Sequence, residues 1–162
     1  FDLLYRSLAG PITGFARARG ATDPEGTSQE TFLRAFRSLD TFQGDGAAFR
    51  RWLFAICRNQ LIDAHRHASR RPDEVFAPPP ERATPAAEDL ALAGLGDNVA
   101  RILRPLTDDQ REVILLRLVA DLSLADTAEI TGKPVTAVKR LQARALRRLQ
   151  SDLVEDVDEE VS

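Results

Sequence analysis

The 162-residue sequence has one cysteine, no methionine and no long apolar run. A lone cysteine, Cys57, cannot form an internal disulfide, so nothing favours an oxidising compartment. Because no apolar stretch approaches about 18 residues and no signal-peptide pattern opens the chain, we expect neither a membrane-spanning helix nor secretion. The expected location is therefore cytoplasmic. Since no Met stands at position 1, we also expect further residues before Phe1.

Clusters of β-branched and aromatic residues, which favour strands, are also scarce, and aromatic residues make up only 6% of the chain. Ala, Leu, Arg, Glu and Gln are plentiful instead, and these residues favour helix. Apolar residues make up 43% of the sequence, which is enough for a packed core. The composition predicts an all-α protein.

Proline is concentrated in one part of the chain. Five of the nine prolines lie close together: Pro72, Pro78, Pro79, Pro80 and Pro85. Proline lacks an amide donor and fixes its own backbone, so this stretch cannot form a helix or a central strand. We predict two small helical domains, 1–71 and 89–151, joined by a Pro-rich linker, 72–88, and followed by an acidic tail, 152–162.

The net charge of −3 conceals two weakly basic domains. The first domain carries a net +4 and the second +2, whereas the linker carries −3 and the tail −6. Twenty of the 22 basic residues are Arg, whose guanidinium suits bidentate contacts with phosphates and bases. The tail has two interpretations: it folds back over the basic surface of the second domain, or it is a solvated segment without a partner.

Apolar residues at helical spacing predict three helices in the first domain, over residues 2–18, over residues 25–39, and from the Gly44–Gly46 turn to about Arg70. Their apolar faces are formed by Leu3, Leu4, Leu8, Ile12 and Phe15; by Phe32, Leu33, Phe36 and Leu39; and by Phe49, Trp52, Leu53, Ile56 and Leu61. Such short helices are marginal alone in water, so we expect them to pack on one another.

The second domain carries clear helix-start and helix-end signals. Thr107 and Gln110 have the spacing of a capping box, and the buried candidates that follow are Val113, Ile114, Leu116 and Leu118. Ser123 opens a short helix that ends at Gly132, a residue that tolerates the left-handed conformation. A longer helix follows, over 136–149. A short helix, a glycine turn and a longer helix predict a helix-turn-helix.

The last helix has one apolar and one basic face. At about 100° per residue, Val138, Leu141, Ala145, Leu146 and Leu149 fall on one side. Residues 131–150 contain six basic side chains and no acidic one. A basic outer face on a helix-turn-helix suits the DNA major groove, whereas an ordinary solvated face usually mixes both signs. The candidate DNA-binding residues are Thr136, Lys139, Arg140, Arg144 and Arg147.

The polar side of the third helix is a second candidate for nucleic-acid binding. Asn59, Asp63 and Arg66 lie on or near it, and an Asn amide can hydrogen-bond a base edge. Asp63 has an equally good alternative, an ion pair with a neighbouring Arg. For Trp52 we favour core packing over base stacking, because it lies in phase with Leu53 and other apolar residues.

Signals for catalysis and metal binding are absent from the sequence. His65 and His67 are two apart on a helix, so their side chains diverge by about 200° and do not form a metal site with Cys57. There is no glycine-rich phosphate loop and no nucleophile elbow. We therefore expect no enzyme activity, no metal and no cofactor.

Four segments together resemble the extracytoplasmic-function (ECF) sigma factors of bacterial RNA polymerase. Gln29–Phe36 resembles the QETFLRAW segment of that family, and Phe49–Asp63 resembles its FRAWL…IARN..ID pattern. Leu106–Val113 is similar to the LPPEQREV opening of its second domain, and Ala137–Leu146 to its recognition helix. The match covers both predicted domains, with the Pro-rich linker between them as in the family.

The resemblance implies a role for each domain. The first domain would capture one strand of the −10 promoter element through Asn59, Asp63, Arg66 and the loop 44–48. Gln29 and Glu30 would dock on the clamp coiled coil of the polymerase β′ subunit.

The second domain would bind the −35 element as duplex and rest on the β-subunit flap, and the linker would run toward the RNA exit channel. Its DNA-contacting residues would be Thr136, Lys139, Arg140 and Arg144. Sigma factors of this family are commonly held by anti-sigma proteins, so such a partner is expected as well.

Two positions depart from the family pattern. Glu25–Ser28 replaces an acidic-apolar run before the Gln29–Glu30 pair, which weakens the expected helix start, and Thr127 stands where Ile or Val is usual. Two alternatives to a sigma factor remain. One is a helix-turn-helix regulator that never joins polymerase, which would leave the first domain and the linker without a counterpart. The other is a pure interaction module held by a partner protein.

Overall fold

A computed structural model describes residues 2–70 and 98–161, with side chains to Glu155. The predicted linker, 72–88, lies outside the described residues. The described part of the chain contains helices and no strand, in agreement with the all-α prediction. The elements are α1 (Asp2–Ala18), α2 (Pro24–Arg37), a 3₁₀ turn (Leu39–Thr41) and α3 (Gly46–Arg70), then α4 (Asp108–Ile114), a π-helical segment (Leu115–Val119), α5 (Leu124–Thr131) and α6 (Val135–Val161). None of the helices in these ranges is long and apolar enough to cross a membrane.

In the first domain α1, α2 and α3 pack on one another around large apolar side chains. Leu8, Ile12 and Phe15 of α1 face Leu53 and Phe54 of α3, all 2% exposed or less. The rings of Phe15 and Phe54 meet edge to face, with centroids 5.6 Å apart. Pro11 neither divides nor ends α1, which runs unbroken through it.

The weak start expected for α2 is compensated locally. Asp23 caps the helix by accepting a hydrogen bond from the amide of Gly26 at 2.9 Å, and Pro24 occupies the first helical position. The hydroxyl residues of this helix lie inward: Ser28 is 3% exposed, and Thr31 is fully buried and accepts a hydrogen bond from Gln60 of α3. The departure from the family pattern therefore leaves α2 well anchored.

The second domain forms the predicted helix-turn-helix. Thr107 and Gln110 form the capping box of α4, and the Ser123 side chain accepts from the amide of Asp126 to cap α5. Gly132 ends α5 in the left-handed conformation, with φ of 67°, which places α6 across α4 and α5. A small core of Val113, Ala128 and Val138 holds the three helices together.

Several apolar residues that were expected inside lie at the surface. Leu3 and Leu4 near the start of α1, Leu33 and Phe36 on α2, Leu118 in the π-helical segment and Leu146 on α6 are all exposed. These predictions were wrong because helical spacing identifies an apolar face but not how far other elements cover it. Trp52 lies where packing was predicted, half-buried against the core.

The acidic tail does not fold back in this structure. Residues 152–161 continue α6 as one 27-residue helix, and a continuous helix cannot return over its own first half. Arg148 instead pairs with Asp152 one turn later, at 3.5 Å. The basic half of α6 is therefore left uncovered by the tail.

Candidate nucleic-acid interfaces

The outer face of α6 is open and basic. Its five candidate residues are all exposed: Thr136, Lys139, Arg140, Arg144 and Arg147. On the opposite side Val138 and Ala145 are fully buried, which fixes the rotation of the helix. Among the described residues no carboxylate pairs with Lys139, Arg140 or Arg144. The helix thus presents free cations in one row, as binding in a major groove requires.

The turn that holds α6 in place is braced by Arg117. Its Nε donates to Oε1 of Gln142 on α6 at 2.9 Å, and its Nη1 donates to the carbonyl oxygen of Leu122 just before α5. A charged donor tied to both sides of the helix-turn-helix limits how far α6 can rotate relative to α5. The outward direction of the arginine row is therefore set by the domain and not by α6 alone.

The loop before α3 and the first half of that helix line a cavity of about 420 Å³. Phe42 stacks on Trp52 with ring centroids 4.9 Å apart and an interplanar angle of 21°. Gly44 has a φ of 151°, and a Cβ there would come within 2.6 Å of the Ala48 Cβ, so glycine lets the loop lie close against α3. Asn59 also lines this cavity.

The other two predicted residues of this surface lie apart from the cavity. Asp63 and Arg66 follow Asn59 by about one and two turns of α3, and both are exposed. The ion pair considered for Asp63 is not formed with any described residue. The structure thus brings Asn59 together with Trp52 and Phe42, and leaves Asp63 and Arg66 along the continuing ridge of α3.

The predicted polymerase-binding residues occupy the outer side of α2. Gln29 is exposed, while Glu30 accepts a hydrogen bond from Nε of Arg34 at 2.8 Å. Leu33, one turn after Gln29, is 49% exposed on the same side. These side chains are therefore accessible on one side of α2.

Cys57 lies inside the first domain, away from these surfaces. It is fully buried, and burial raises the pKa of its thiol to about 11, while a hydrogen bond with the Thr31 side chain acts in the opposite direction. The thiol is therefore protonated and unreactive at neutral pH. In the described ranges no group of His, Cys, Asp and Glu side chains could hold a metal ion.

Known families match both domains. Sigma-70 region 2 matches residues 4–71, and Sigma-70, region 4 matches residues 97–149. The ECF RNA polymerase sigma factor SigC of Mycobacterium tuberculosis (strain CDC 1551 / Oshkosh) is 37% identical over 131 residues, which cover 80% of this chain and 69% of that protein. The chain belongs to the ECF sigma factors.

Other relatives of this sigma factor extend the comparison. ECF RNA polymerase sigma factor BldN of Streptomyces coelicolor is 37% identical over 96% of this chain, which spans only 58% of that protein. Among solved structures, the sigma factor RpoE in complex with the anti-sigma factor NepR from Bartonella quintana superposes with a TM-score of 0.70 and 26% identity, over 94% of this chain and 96% of the other. CnrH in complex with the cytosolic domain of CnrY gives a TM-score of 0.67 and 29% identity, over 96% and 88%.

Sequence reasoning missed one set of functional candidates in this sigma factor. Four arginines of the first domain contact the second domain: Arg19, Arg50, Arg51 and Arg58. Arg58 pairs with Glu112, which lies 54 positions away in the sequence. Glu112 directly follows Arg111 within the family-like segment and is only 4% exposed, but its polar neighbours in the sequence give no signal that it is buried.

Proposed function

We propose that this sigma factor binds core RNA polymerase and directs promoter recognition and transcription initiation. The observation that carries the proposal is the row formed by Lys139, Arg140 and Arg144 on α6, which have no carboxylate partner among the described residues. This row lies on a helix-turn-helix that is joined to a second helical domain of the same family. Each domain then contributes one contact with the promoter and one with polymerase.

In the second domain, α6 enters the major groove of the −35 element. Lys139, Arg140 and Arg144 are exposed on one side and have no carboxylate partner among the described residues. Arg140 and Arg144 are one turn apart, which is the spacing at which two side chains can contact neighbouring base pairs. Thr136 and Arg147 extend the same face toward the flanking phosphates.

In the first domain, the cavity beside α3 receives an unstacked base of the −10 element. The Asn59 side chain offers a donor and an acceptor for a base edge, and the stacked Phe42–Trp52 pair forms the wall of the cavity beside it. Arg66 lies two turns further along α3, where it attracts the phosphates of the same strand, and Asp63 between them forms a hydrogen bond with a base.

The outer side of α2 binds the clamp coiled coil of the β′ subunit. Gln29 and Glu30 supply polar contacts, and the exposed Leu33 supplies apolar area beside them. The second domain rests on the β flap. We place the protein in the cytoplasm, as a DNA-binding subunit without catalytic activity. We also propose that an anti-sigma protein binds it at times, because one solved neighbour is bound to the anti-sigma factor NepR and the other to the cytosolic domain of CnrY.

The experiment is run-off transcription with core polymerase on fragments of the source genome, followed by sequencing of the transcript starts. We expect defined starts that require this chain, and poor promoter binding by the chain alone because both domains are only weakly basic. Tight, sequence-specific duplex binding without polymerase, and no run-off product, would instead support the helix-turn-helix regulator.

A further inference from the structure

The first domain's proposed −10 site is partly covered by the second domain. The cavity beside α3 is lined on one side by Trp52 and Asn59 and on the other by Glu129 and Ile130 of α5. The helix that opens the helix-turn-helix therefore forms part of the wall of a site that belongs to the other domain. A DNA strand and α5 cannot occupy this side of the cavity at the same time.

Arg51 at the rim of the same cavity is held by two carboxylates of α5. Its Nη1 lies 3.2 Å from Oδ1 of Asp126 and 3.1 Å from Oε2 of Glu129. All three side chains retain some exposure, with Glu129 the most exposed at 67%. Exposed ion pairs of this kind contribute little each, so a competing anion can displace them.

A second contact between the domains is buried. Glu112 of α4 is 4% exposed and accepts from Nε and Nη2 of Arg58, while Nη2 of Arg19 lies 3.9 Å away. Arg50 donates to the carbonyl oxygen of Ala120 at 3.2 Å. The cations of the first domain that face the second are thus occupied by carboxylates and carbonyls.

We propose that the second domain closes the −10 site of the first, with Asp126 and Glu129 acting as internal substitutes for DNA phosphates on Arg51. A guanidinium binds carboxylate and phosphate oxygens with the same planar arrangement of donors. Two carboxylate oxygens on one guanidinium nitrogen occupy the positions that phosphate oxygens of a captured strand would take. Opening the chain frees Arg51 for the strand and uncovers Trp52 and Asn59. This inference deepens the proposed function and depends on it for the identity of the strand.

The test uses the full chain and its only tryptophan. Because Trp52 lines the covered cavity, its quenching by acrylamide reports closure without a label. The variant Asp126→Asn with Glu129→Gln removes both charges and keeps the side-chain shapes. We expect stronger quenching of Trp52, and an affinity for a fluorescein-labelled, mixed-sequence single-stranded 20-mer that rises by about threefold to tenfold.

The matched control changes the net charge equally at a distance. Asp2→Asn with Glu25→Gln also removes two carboxylates and also releases two arginines, Arg6 and Arg17, from surface ion pairs. We expect unchanged Trp52 quenching and at most a small gain in affinity that falls with salt. Circular dichroism checks that every variant keeps its helix content.

Arg51→Gln separates closure from phosphate binding. This variant breaks the contact with Asp126 and Glu129 by removing the guanidinium, so Trp52 quenching should rise. The affinity for the 20-mer should not rise, because the cation that would bind phosphate is lost as well. Equal affinity gains in the interface variant and in the control would overturn the proposal, as would unchanged quenching in the interface variant. Increased quenching without any gain in affinity would overturn the assignment of Arg51 to phosphate.

The outcome is distinguishable from failure of the proposed function. Quenching and 20-mer binding need no polymerase, whereas the proposed function is tested by run-off with core polymerase. A chain that directs defined starts but shows unchanged Trp52 quenching in the interface variant refutes only the closure. A chain that opens as expected and directs no starts refutes the proposed function and leaves Arg51 as a general strand-binding residue.

Discussion

The two cationic surfaces of this sigma factor differ in how their arginines are used. On α6, Arg140 and Arg144 are exposed and have no carboxylate partner among the described residues. On the first domain, Arg51 and Arg58 are already held by carboxylates of the second. The proposed duplex-binding surface on α6 is thus open in this structure, whereas the proposed strand-binding surface beside α3 is partly covered by the second domain.

The difference gives the free chain an order of events. Under the proposed function, duplex contact through α6 would need no rearrangement of the domains, whereas strand capture beside α3 would have to displace α5 first. Four sets of variants test the two domains and the contact between them.

The largest effect is expected at Glu112. Replacing it with Gln leaves Arg58 and Arg19 without their buried carboxylate, so the free energy of unfolding should fall by about 3 kcal/mol, as measured by urea denaturation. Glu25→Gln is the control, because the Glu25–Arg17 pair is 61% exposed on the Glu25 side and should cost under about 1 kcal/mol. Equal losses at both positions would show that the domain contact is no stronger than a surface pair.

The next effect concerns the open surface. Arg140→Ala or Arg144→Ala should weaken binding of the polymerase-bound chain to a −35 duplex by about 1–3 kcal/mol, concentrated on one base position. Fluorescence anisotropy with single-base variants of the duplex measures it. Arg148→Ala is the control, since Arg148 already pairs with Asp152. If Arg148→Ala weakens binding as much, the DNA-facing side of α6 is assigned wrongly.

A smaller effect on stability is expected at Thr127, in the core of the second domain. Thr127 of α5 is fully buried, and its hydroxyl has no hydrogen-bond partner among the described residues. Thr127→Val keeps the shape and removes the unpaired hydroxyl, so the free energy of unfolding should rise by about 1 kcal/mol. Thr131→Val on the same helix removes a hydroxyl that donates to the carbonyl oxygen of Thr127 at 2.7 Å, and it should not stabilise. Stabilisation by both variants would point to helix propensity instead.

The smallest effect is confined to the first domain. Because burial raises the pKa of the Cys57 thiol from 9.0 to about 11, the unfolded chain loses this proton at a lower pH than the folded chain. The unfolded state then binds fewer protons between these values, so stability should fall by about 1 kcal/mol from pH 8 to pH 10. Cys57→Ala should lose less over the same interval in parallel urea titrations. An identical loss in both would assign the alkaline effect to other groups.

The fold was largely predictable because its signals are local. The capping box at Thr107, the cap at Ser123 and the left-handed Gly132 depend on residues within one turn, and all three are present as predicted. The exposed Leu33 and Leu118 were not predictable, because whether an apolar face is covered depends on elements far away in sequence.

The candidate sites also combine features that local sequence predicts with features that depend on distant residues. The outward direction of Arg140 and Arg144 followed from the helical period around Val138. The partners of Arg51 could not be predicted, because Asp126 and Glu129 lie 75 and 78 positions away and ion pairs leave no periodic pattern in a sequence. The roles assigned to Asn59, Asp63 and Arg66 stay predictions.

The 27-residue helix α6 places its charges against its own dipole. The positive end of the helix dipole lies at the arginine-rich half, and the negative end lies at the six carboxylates of residues 152–160. Carboxylates three and four positions apart also repel one another. The first half is held by packing at Val138 and Ala145, but among the described side chains beyond Leu149 the apolar Leu153 and Val154 are 55% and 61% exposed and oppose this cost little. The length of α6 should therefore depend on the medium, longer in acid or high salt and unwinding from its C-terminal end at neutral pH in low salt.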